Sequence, residues 1–217
     1  LIQKKRRMEH TGAAQMLFSQ VKDYFYGLKQ INPCLRWPLR NEARYKPVFI
    51  IGSGRSGNTL LRRIINAQGD IYIPPETYVL GRIIKTFQQN RHLSWKSLVY
   101  LCLAHFEFNK QFDTFHVSLR PLAIELLQAT KEQQCLTFII NSFYSYHARH
   151  TGINFVRWGD KTPLNIFWID RIYKTFPDAQ FIHIVRDGCD VISSYVEADL
   201  YDSVEAAADR WLRATKI

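Results

Sequence analysis

The sequence lacks the features that mark several large classes of protein. Its four cysteines are widely spaced and include no C-x-x-C pair, so neither a zinc site nor a disulfide framework is indicated, and we expect buried free thiols. The longest apolar stretch, Leu98 to Phe106, covers nine positions, whereas a membrane-spanning helix needs ~20. With only 10 glycines and 8 prolines, a fibrous or low-complexity chain is excluded. We therefore expect a folded globular protein.

The N-terminal residues show no secretory signal, because the basic cluster Lys4 to Arg7 is followed by polar residues and not by an apolar core. This absence favours a cytoplasmic location, or the Golgi lumen if a membrane anchor precedes the chain. Acidic residues are also few: 29 Lys and Arg face 19 Asp and Glu, and residues 1–46 hold 10 basic and 3 acidic residues. Apolar spacing over 13–31 predicts a helix there, so we interpret 1–46 as a basic helical segment that does not bind nucleic acid.

Strand and helix patterns alternate over residues 47–217, which we assign to one α/β domain. Apolar runs predict strands at Pro47–Ile51, Phe155–Trp158 and Gln180–Val185. Helices are predicted at Thr59–Ala67, Pro163–Phe176 and Asp187–Glu197, and from Asp202 with Glu205 as a capping partner. The middle third predicts four more helices, at Tyr78–Gln89, Ser94–Phe108, Ser118–Ala129 and Glu132–Arg149. This order predicts a parallel sheet flanked by helices, with a helical insertion and a site at the carboxyl ends of the strands.

A glycine-rich loop follows the first predicted strand. Its glycines, Gly52 and Gly57, are five apart and Thr59 follows, as in the G-x-x-x-x-G-K-[ST] phosphate-binding loop, but Asn58 replaces the lysine. A strand, a glycine loop and a helix start together let backbone N–H groups surround an anion. Because the missing lysine normally contacts the β- and γ-phosphates, hydrolysis of ATP or GTP is disfavoured. Arg55 can supply the positive charge from within the loop.

A second candidate anion site follows the third strand. The segment Val185–Ser194 reads V-R-D-G-C-D-V-I-S-S, so Arg186 lies at the strand end and Ser194 lies in the following helix. These two side chains can converge on a second phosphate, and Asp190, four residues before Ser194, can hold the turn. Two anion sites in one α/β domain predict a ligand with a charged group at each end.

These segments resemble the sulfotransferase family that uses 3′-phosphoadenosine 5′-phosphosulfate (PAPS), and most closely its bacterial, Golgi-type and tyrosylprotein branch. Gly52–Leu61 is similar to the family motif x-G-x-x-R-S-G-T-T-L-L, and Val185–Ser194 to V-R-D/N-P-x-D-V-x-x-S. Gly159–Pro163 is similar to G-D-K-T-P. The resemblance implies a P-loop-NTPase-like fold and transfer of a sulfuryl group from PAPS, which leaves as the 3′,5′-bisphosphate (PAP), without a metal.

The resemblance also implies roles for individual residues. Glu76 matches a glutamate proposed as the catalytic base, while Lys161 and Arg55 would be the cations beside the transferred group. The residues implied in donor binding are Gly54, Arg55, Ser56, Gly57, Asn58, Thr59, Leu60, Arg186 and Ser194. The sequence departs from the family at Asn58, where threonine is usual, and at Gly188, where proline is common.

Other interpretations stay open at this point. A P-loop kinase or NTPase would need magnesium and a lysine from elsewhere in the chain, and a non-catalytic nucleotide-binding module would keep the anion site without turnover. The acceptor, whether a carbohydrate, a peptide tyrosine or a small metabolite, is not predicted by the helical residues 77–150. We expect His147 and His150 to be surface or capping residues and His183 to be a core residue.

Overall fold

The computed structural model describes residues 37–43 and 45–216. The predicted helix over 13–31, and Cys34, lie outside these residues. The described part confirms the expected fold class, a parallel four-stranded sheet flanked by helices, with a helical stretch in the middle third.

The strands and helices follow one another in the predicted alternation. The strands are β1 (Val48–Gly52), β2 (Ile71–Tyr72), β3 (Arg157–Lys161) and β4 (Gln180–Ile184). The helices are α1 (Asn58–Ala67), α2 (Leu80–Gln89), α3 (Trp95–Glu107), α4 (Arg120–Leu127), α5 (Leu136–His150), α6 (Ile169–Thr175), α7 (Gly188–Glu197) and α8 (Val204–Thr215). Short 3₁₀ turns form at Phe112–Phe115 and Pro163–Trp168.

The order of strands in the sheet is β2-β3-β1-β4, and every neighbouring pair is parallel. β1 lies between β3 and β4, and Val48 pairs with both Gly159 and Gln180. All five residues of β1 are buried, as expected for the central strand of a parallel sheet. Because the strands are parallel and in register, Gly52, Lys161 and Ile184 end at one edge of the sheet.

The main hydrophobic core joins this sheet to the helices of the middle third. Phe49 of β1 stacks on Phe181 of β4, with ring centroids 5.3 Å apart, and Trp158 of β3 stacks on Tyr144 of α5 at 3.9 Å. A smaller cluster around Val191 and Tyr195 packs α7 on α8. The helical stretch is therefore part of the same core as the sheet, and it holds the ends of β1 and β3 in place.

Two predicted elements differ from the structure because long-range contacts decide them. β3 shares only Arg157 and Trp158 with the predicted strand Phe155–Trp158 and continues through the polar Gly159-Asp-Lys segment, since its partner is the buried strand β1. A Cβ on Gly159 would lie 2.7 Å from the Val48 carbonyl oxygen, so only glycine permits this pairing. The helix predicted at Pro163–Phe176 is divided into a 3₁₀ turn and α6. The two-residue strand β2 was not predicted.

The helix caps include one correction. Asp187 caps α7, its Oδ1 accepting from the N–H groups of Cys189 and Asp190. The cap of α8 is Ser203, whose Oγ accepts from the Ala206 N–H. Glu205 is one residue too early to complete a capping box, so that prediction was wrong.

Burial corrects three further expectations. His147 is 3% exposed, with Nδ1 paired to the Tyr72 hydroxyl and Nε2 at 3.1 Å from the Phe115 carbonyl oxygen, so it is neither a surface nor a capping residue. His183 lies on the exposed outer strand β4 and not in the core, although its Nε2 contacts the Ala214 carbonyl. Cys102 and Cys135 are buried free thiols as expected, whereas Cys189 is exposed.

Candidate active site

A cavity of about 600 Å³ lies at the carboxyl ends of β1 and β3. Four cationic residues line it, and Glu76 is the one acidic residue among the described residues of its lining. The cations are Arg55, Lys161, Arg186 and Arg210. They come from the loop after β1, the end of β3, the loop after β4 and helix α8. The cavity is therefore suited to a ligand that carries several negative charges.

The glycine loop after β1 forms one wall of this cavity. Gly57, at the N-cap of α1, has φ of 91°, a left-handed conformation that favours glycine. Arg55 at the tip of the loop also has positive φ, 61°. The first turn of α1 contains no acidic residue, so the partial positive charge of the helix start is not neutralised by its own side chains. This end of α1 adds to the attraction for an anion.

Asn58, which stands in the position of the P-loop lysine, has a structural role in the loop. Its side chain is 4% exposed, and its Nδ2 donates to the Ser53 carbonyl oxygen at 2.7 Å. Its Oδ1 has no hydrogen-bond partner in the described part of the chain. The amide therefore closes the loop on itself, and it cannot supply the charge that a lysine would bring.

Arg55, Arg186 and Ser194 lie together on one side of the cavity. The Arg55 Nε donates to the Ser194 Oγ at 2.9 Å, and an Arg186 Nη donates to the Arg55 carbonyl oxygen at 3.2 Å. Arg186 also pairs with Asp190 at 3.0 Å, so the Asp190 carboxylate orients this arginine. The structure thus joins the two motifs that the sequence places more than 130 residues apart.

Gly188, the other departure from the family motif, lies under an aromatic ring. A Cβ on Gly188 would be 3.1 Å from the Trp211 ring, and the Trp211 indole N–H donates to the Arg186 carbonyl oxygen at 3.2 Å. The glycine therefore lets α8 pack against the start of α7, close to Arg186.

Glu76 and Lys161 meet at the opposite side of the cavity. The Lys161 Nζ forms an ion pair with Glu76 and lies 3.3 Å from the Thr59 hydroxyl. The Lys161 side chain is 4% exposed and that of Glu76 is 21% exposed. A carboxylate and an ammonium are therefore held beside the first turn of α1, facing the cavity.

Asp160 connects the segment that carries Glu76 to the strand that carries Lys161. Its buried carboxylate accepts from the Thr77 hydroxyl at 2.8 Å, the Tyr144 hydroxyl at 2.7 Å and the Asn165 amide at 2.7 Å. Burial raises the pKa of Asp160 above 3.8, although the hydrogen bonds from Tyr144, Thr162 and Thr77 oppose the shift. The Thr77 N–H also donates to the Thr162 hydroxyl at 3.1 Å. These bonds fix Glu76 against Lys161.

Tyr78 lies two residues after Glu76, at the edge of the cavity. Its φ of 58° is unusual for a residue other than glycine, and its phenol lies near the Glu76 carboxylate. Burial, followed by the nearby Glu76, raises the pKa of Tyr78 well above 10.0. The phenol therefore stays protonated at neutral pH and can donate to the carboxylate.

Most of the site residues predicted from sequence line this cavity. They are Gly54, Arg55, Gly57, Asn58, Thr59, Glu76, Lys161, Arg186 and Ser194. Ser56 and Leu60 are outside the lining: Ser56 is buried with its hydroxyl 3.4 Å from the Gly54 carbonyl, and Leu60 is 65% exposed. Sequence reasoning missed Tyr78 and Arg210. The signal for Arg210 was a basic residue spaced with Ala207 and Ala214 on the inner face of α8.

Among residues 37–43 and 45–216, no group of His, Cys, Asp and Glu side chains is arranged to hold a metal ion. None of the helices in the same ranges has the length and apolarity needed to span a membrane.

Comparison with known proteins gives this arrangement a context. A sequence model of the sulfotransferase family matches residues 47–216. Over 149 residues, 69% of this chain and 25% of the relative, the chain is 27% identical to the protein-tyrosine sulfotransferase of Drosophila melanogaster. It thus spans about a quarter of that curated relative. The sulfotransferase domain of the Synechococcus PCC 7002 olefin synthase superimposes with a TM-score of 0.51 and 21% identity, covering 83% of this chain and 62% of that one, which shows a shared fold.

Proposed function

The chain belongs to the sulfotransferase family, and we propose that it transfers a sulfuryl group from PAPS to a hydroxyl group of an acceptor. The observation that carries this proposal is the cavity beside the glycine loop, with four cationic residues and the single carboxylate of Glu76 among the described residues of its lining. PAPS has negative charge at both its 5′-phosphosulfate and its 3′-phosphate. A cavity with cations from four separate segments suits such a ligand.

We assign the two ends of the donor to the two motifs. Lys161 and the loop residues that line the cavity, Gly54, Arg55, Gly57, Asn58 and Thr59, would bind the 5′-phosphosulfate at the start of α1. Arg186 and Ser194 would bind the 3′-phosphate. The hydrogen bond from Arg55 to Ser194 supports this division, because it brings the two anion sites to a separation that one nucleotide can span.

The chemistry needs a base for the acceptor proton and cations for the leaving oxygen. PAPS supplies a sulfuryl group whose leaving group is the 5′-phosphate. Glu76 would take the proton of the acceptor hydroxyl as its oxygen bonds to sulfur and the bond from sulfur to the 5′-phosphate breaks. Lys161 and Arg55 would offset the negative charge on the departing oxygen. In this proposal the cations of the chain do the work that a metal does in many phosphoryl-transfer enzymes.

The ion pair between Glu76 and Lys161 bears on how the base becomes available. In the structure the Lys161 ammonium group occupies the Glu76 carboxylate, so the oxygen that would receive the acceptor proton is already engaged. Lys161 already lies 3.3 Å from Thr59, at the start of α1 where an anion would bind. An anion at that position would attract Lys161 and free Glu76. We propose that donor binding activates the base in this way.

The acceptor is a further part of the proposal. The name of the Drosophila relative points to a protein tyrosine, yet this chain matches a quarter of that protein. The family assignment therefore admits three kinds of acceptor, namely a peptide tyrosine, a carbohydrate and a small metabolite. The competing kinase or NTPase function has less support, since Asn58 is folded into the loop and carries no charge.

Calorimetric titration tests the donor assignment without knowledge of the acceptor. We expect the chain to bind PAP without magnesium, and more tightly than 5′-AMP or magnesium-ATP. Arg186→Ala should weaken PAP binding about 10- to 100-fold, the cost of losing charge-assisted hydrogen bonds, and leave 5′-AMP binding nearly unchanged. The matched control is Arg213→Ala, which removes an exposed arginine of α8 outside the cavity. Preference for magnesium-ATP would overturn the proposal, and equal losses for PAP and 5′-AMP would overturn the assignment of Arg186.

A further inference from the structure

A second cavity, of about 700 Å³, adjoins the cavity beside the glycine loop. We call the latter the donor cavity, after the proposed function. Tyr78 and Leu164 line both cavities, so the two meet at these side chains. Glu76 lies at this junction, since it lines the donor cavity and precedes Tyr78 by two residues in the chain. No motif marks the second cavity, whose walls come mainly from α3 and the turn after it, with Arg82 from α2. A molecule bound there would have one end close to the proposed base.

The walls of the second cavity combine apolar and cationic side chains. Leu101, Ala104 and Phe108 provide an apolar surface, and Phe108 is 85% exposed, which is unusual for a phenylalanine. Arg82 and Lys110 provide two positive charges. No Asp or Glu occurs among the described residues that line this cavity.

Neither cation has an acidic partner within the described residues. The ion pairs found there join Arg149 to Glu125, Lys161 to Glu76, Arg186 to Asp190 and Arg213 to Asp209. Arg82 and Lys110 take part in none of them, so their charges are available to a ligand. His105, also in the lining, hydrogen-bonds Thr86 at 2.8 Å, and burial together with Arg82 lowers its pKa below 6.5. At neutral pH it is therefore uncharged, and the positive charge of the cavity comes from Arg82 and Lys110.

We infer that this second cavity binds the acceptor, and that the acceptor is a small amphipathic hydroxy acid. Its hydroxyl group would reach Glu76 past Tyr78, its apolar body would lie against Leu101 and Phe108, and its carboxylate would bind Arg82 and Lys110. The inference rests on the proposed function, because it takes Glu76 as the base. A cavity of about 700 Å³ is within the range that holds small molecules, which favours a small acid over a peptide segment.

Matched acid and amide pairs test the charge requirement directly. The probes are 3-(4-hydroxyphenyl)propionate and 12-hydroxydodecanoate, each with its primary amide, titrated into the chain saturated with PAP. We expect at least one acid to bind roughly tenfold more tightly than its amide, since the carboxylate adds charge-assisted hydrogen bonds. The double variant Arg82→Gln, Lys110→Gln should lose this preference and bind the amide as before. Lys85→Gln, which removes an exposed lysine of α2 outside the lining, is the control and should keep the preference.

The outcomes separate this inference from the proposed function. PAP binding is measured first. If PAP does not bind, the proposed function fails, and the same acid and amide titrations on the free chain still decide whether the cavity prefers acids. If PAP binds but no acid is preferred, or if the preference survives in the double variant, the inference is overturned. A tyrosine peptide with aspartates that binds more tightly than either small acid would overturn the small-molecule assignment.

Discussion

Replacing Thr77 with valine tests whether the buried carboxylate of Asp160 holds Glu76 in position. Valine keeps the branched shape of threonine but removes the hydroxyl that donates to Asp160 at 2.8 Å. The Thr77 N–H still donates to Thr162, so the backbone keeps one of its two anchors. Because Thr77 directly follows Glu76, we expect both the stability of the protein and the placement of the base to change.

The magnitude follows from the bonds that remain. A hydrogen bond to a charged group contributes about 1.5–3 kcal/mol to stability. Asp160 is 0% exposed and keeps its bonds to Tyr144 and Asn165, so the loss belongs in the lower part of that range. We expect the free energy of unfolding to fall by about 1.5–2 kcal/mol, which lowers Tm by roughly 3–8 °C in a chain of this size.

Tyr144→Phe is a matched control for this experiment. It removes another donor to the same carboxylate oxygen, at 2.7 Å, from a tyrosine that is also fully buried. Its cost in stability should therefore be similar. Tyr144 belongs to α5 and is not next to Glu76 in the chain, so its replacement should leave kcat within about twofold, whereas Thr77→Val should lower kcat about tenfold through misplacement of the base.

Urea unfolding followed by far-UV circular dichroism gives the stabilities, and transfer from PAPS to an acceptor found by screening gives kcat. PAP affinity should be the same in both variants, since neither residue lines the donor cavity. Equal losses of kcat in the two variants would show that Asp160 supports the fold and does not position the base. A stability loss below about 0.5 kcal/mol in both would refute the reasoning about the buried carboxylate.

Three other predictions concern the base, the buried lysine and the dependence of stability on pH. Glu76→Gln should lower kcat roughly 100-fold or more while PAP affinity, measured by calorimetry, stays within a few fold, because the amide oxygen still accepts from Lys161. Retained turnover would assign the base to another residue. Lys161→Ala should lower kcat more than PAP affinity, and a loss confined to affinity would contradict its role at the leaving oxygen. Burial lowers the pKa of His147 below 6.5 in the folded state, so the unfolded state binds a proton more readily. Its stabilising effect is present above pH 6.5 and is lost as the pH falls below that value. Thermal unfolding between pH 7.5 and 5.5 should show a smaller loss of stability in His147→Gln than in the unaltered chain, and parallel slopes would contradict this.

Local patterns predicted the part of the fold that is determined locally. The apolar run that forms β1 and the amphipathic residues of α1 were found, because burial on both faces and helical periodicity are visible in consecutive residues. Only Arg157 and Trp158 of β3 were predicted as strand, because its Gly-Asp-Lys segment has no strand pattern of its own. Its position depends on pairing with β1, on the close approach at Gly159 and on three donors to Asp160 from outside the strand.

The residues of the cavity beside the glycine loop carry a signal in the sequence and those of the second cavity do not, for a physical reason. An anion held by a glycine loop and a helix start contacts backbone N–H groups of consecutive residues, so its signal is a short string. Arg186 belongs to the same site because it follows the neighbouring parallel strand β4, which ends at the same edge of the sheet as β1. The second cavity is built from side chains on separate helices, Arg82 on α2 and Leu101 on α3, with Lys110 after α3. Only the packing of α2 on α3 brings them together. The side chains that we infer to select the acceptor are thus free to change without any effect on the donor motifs, and the motifs identify the family without identifying its acceptor.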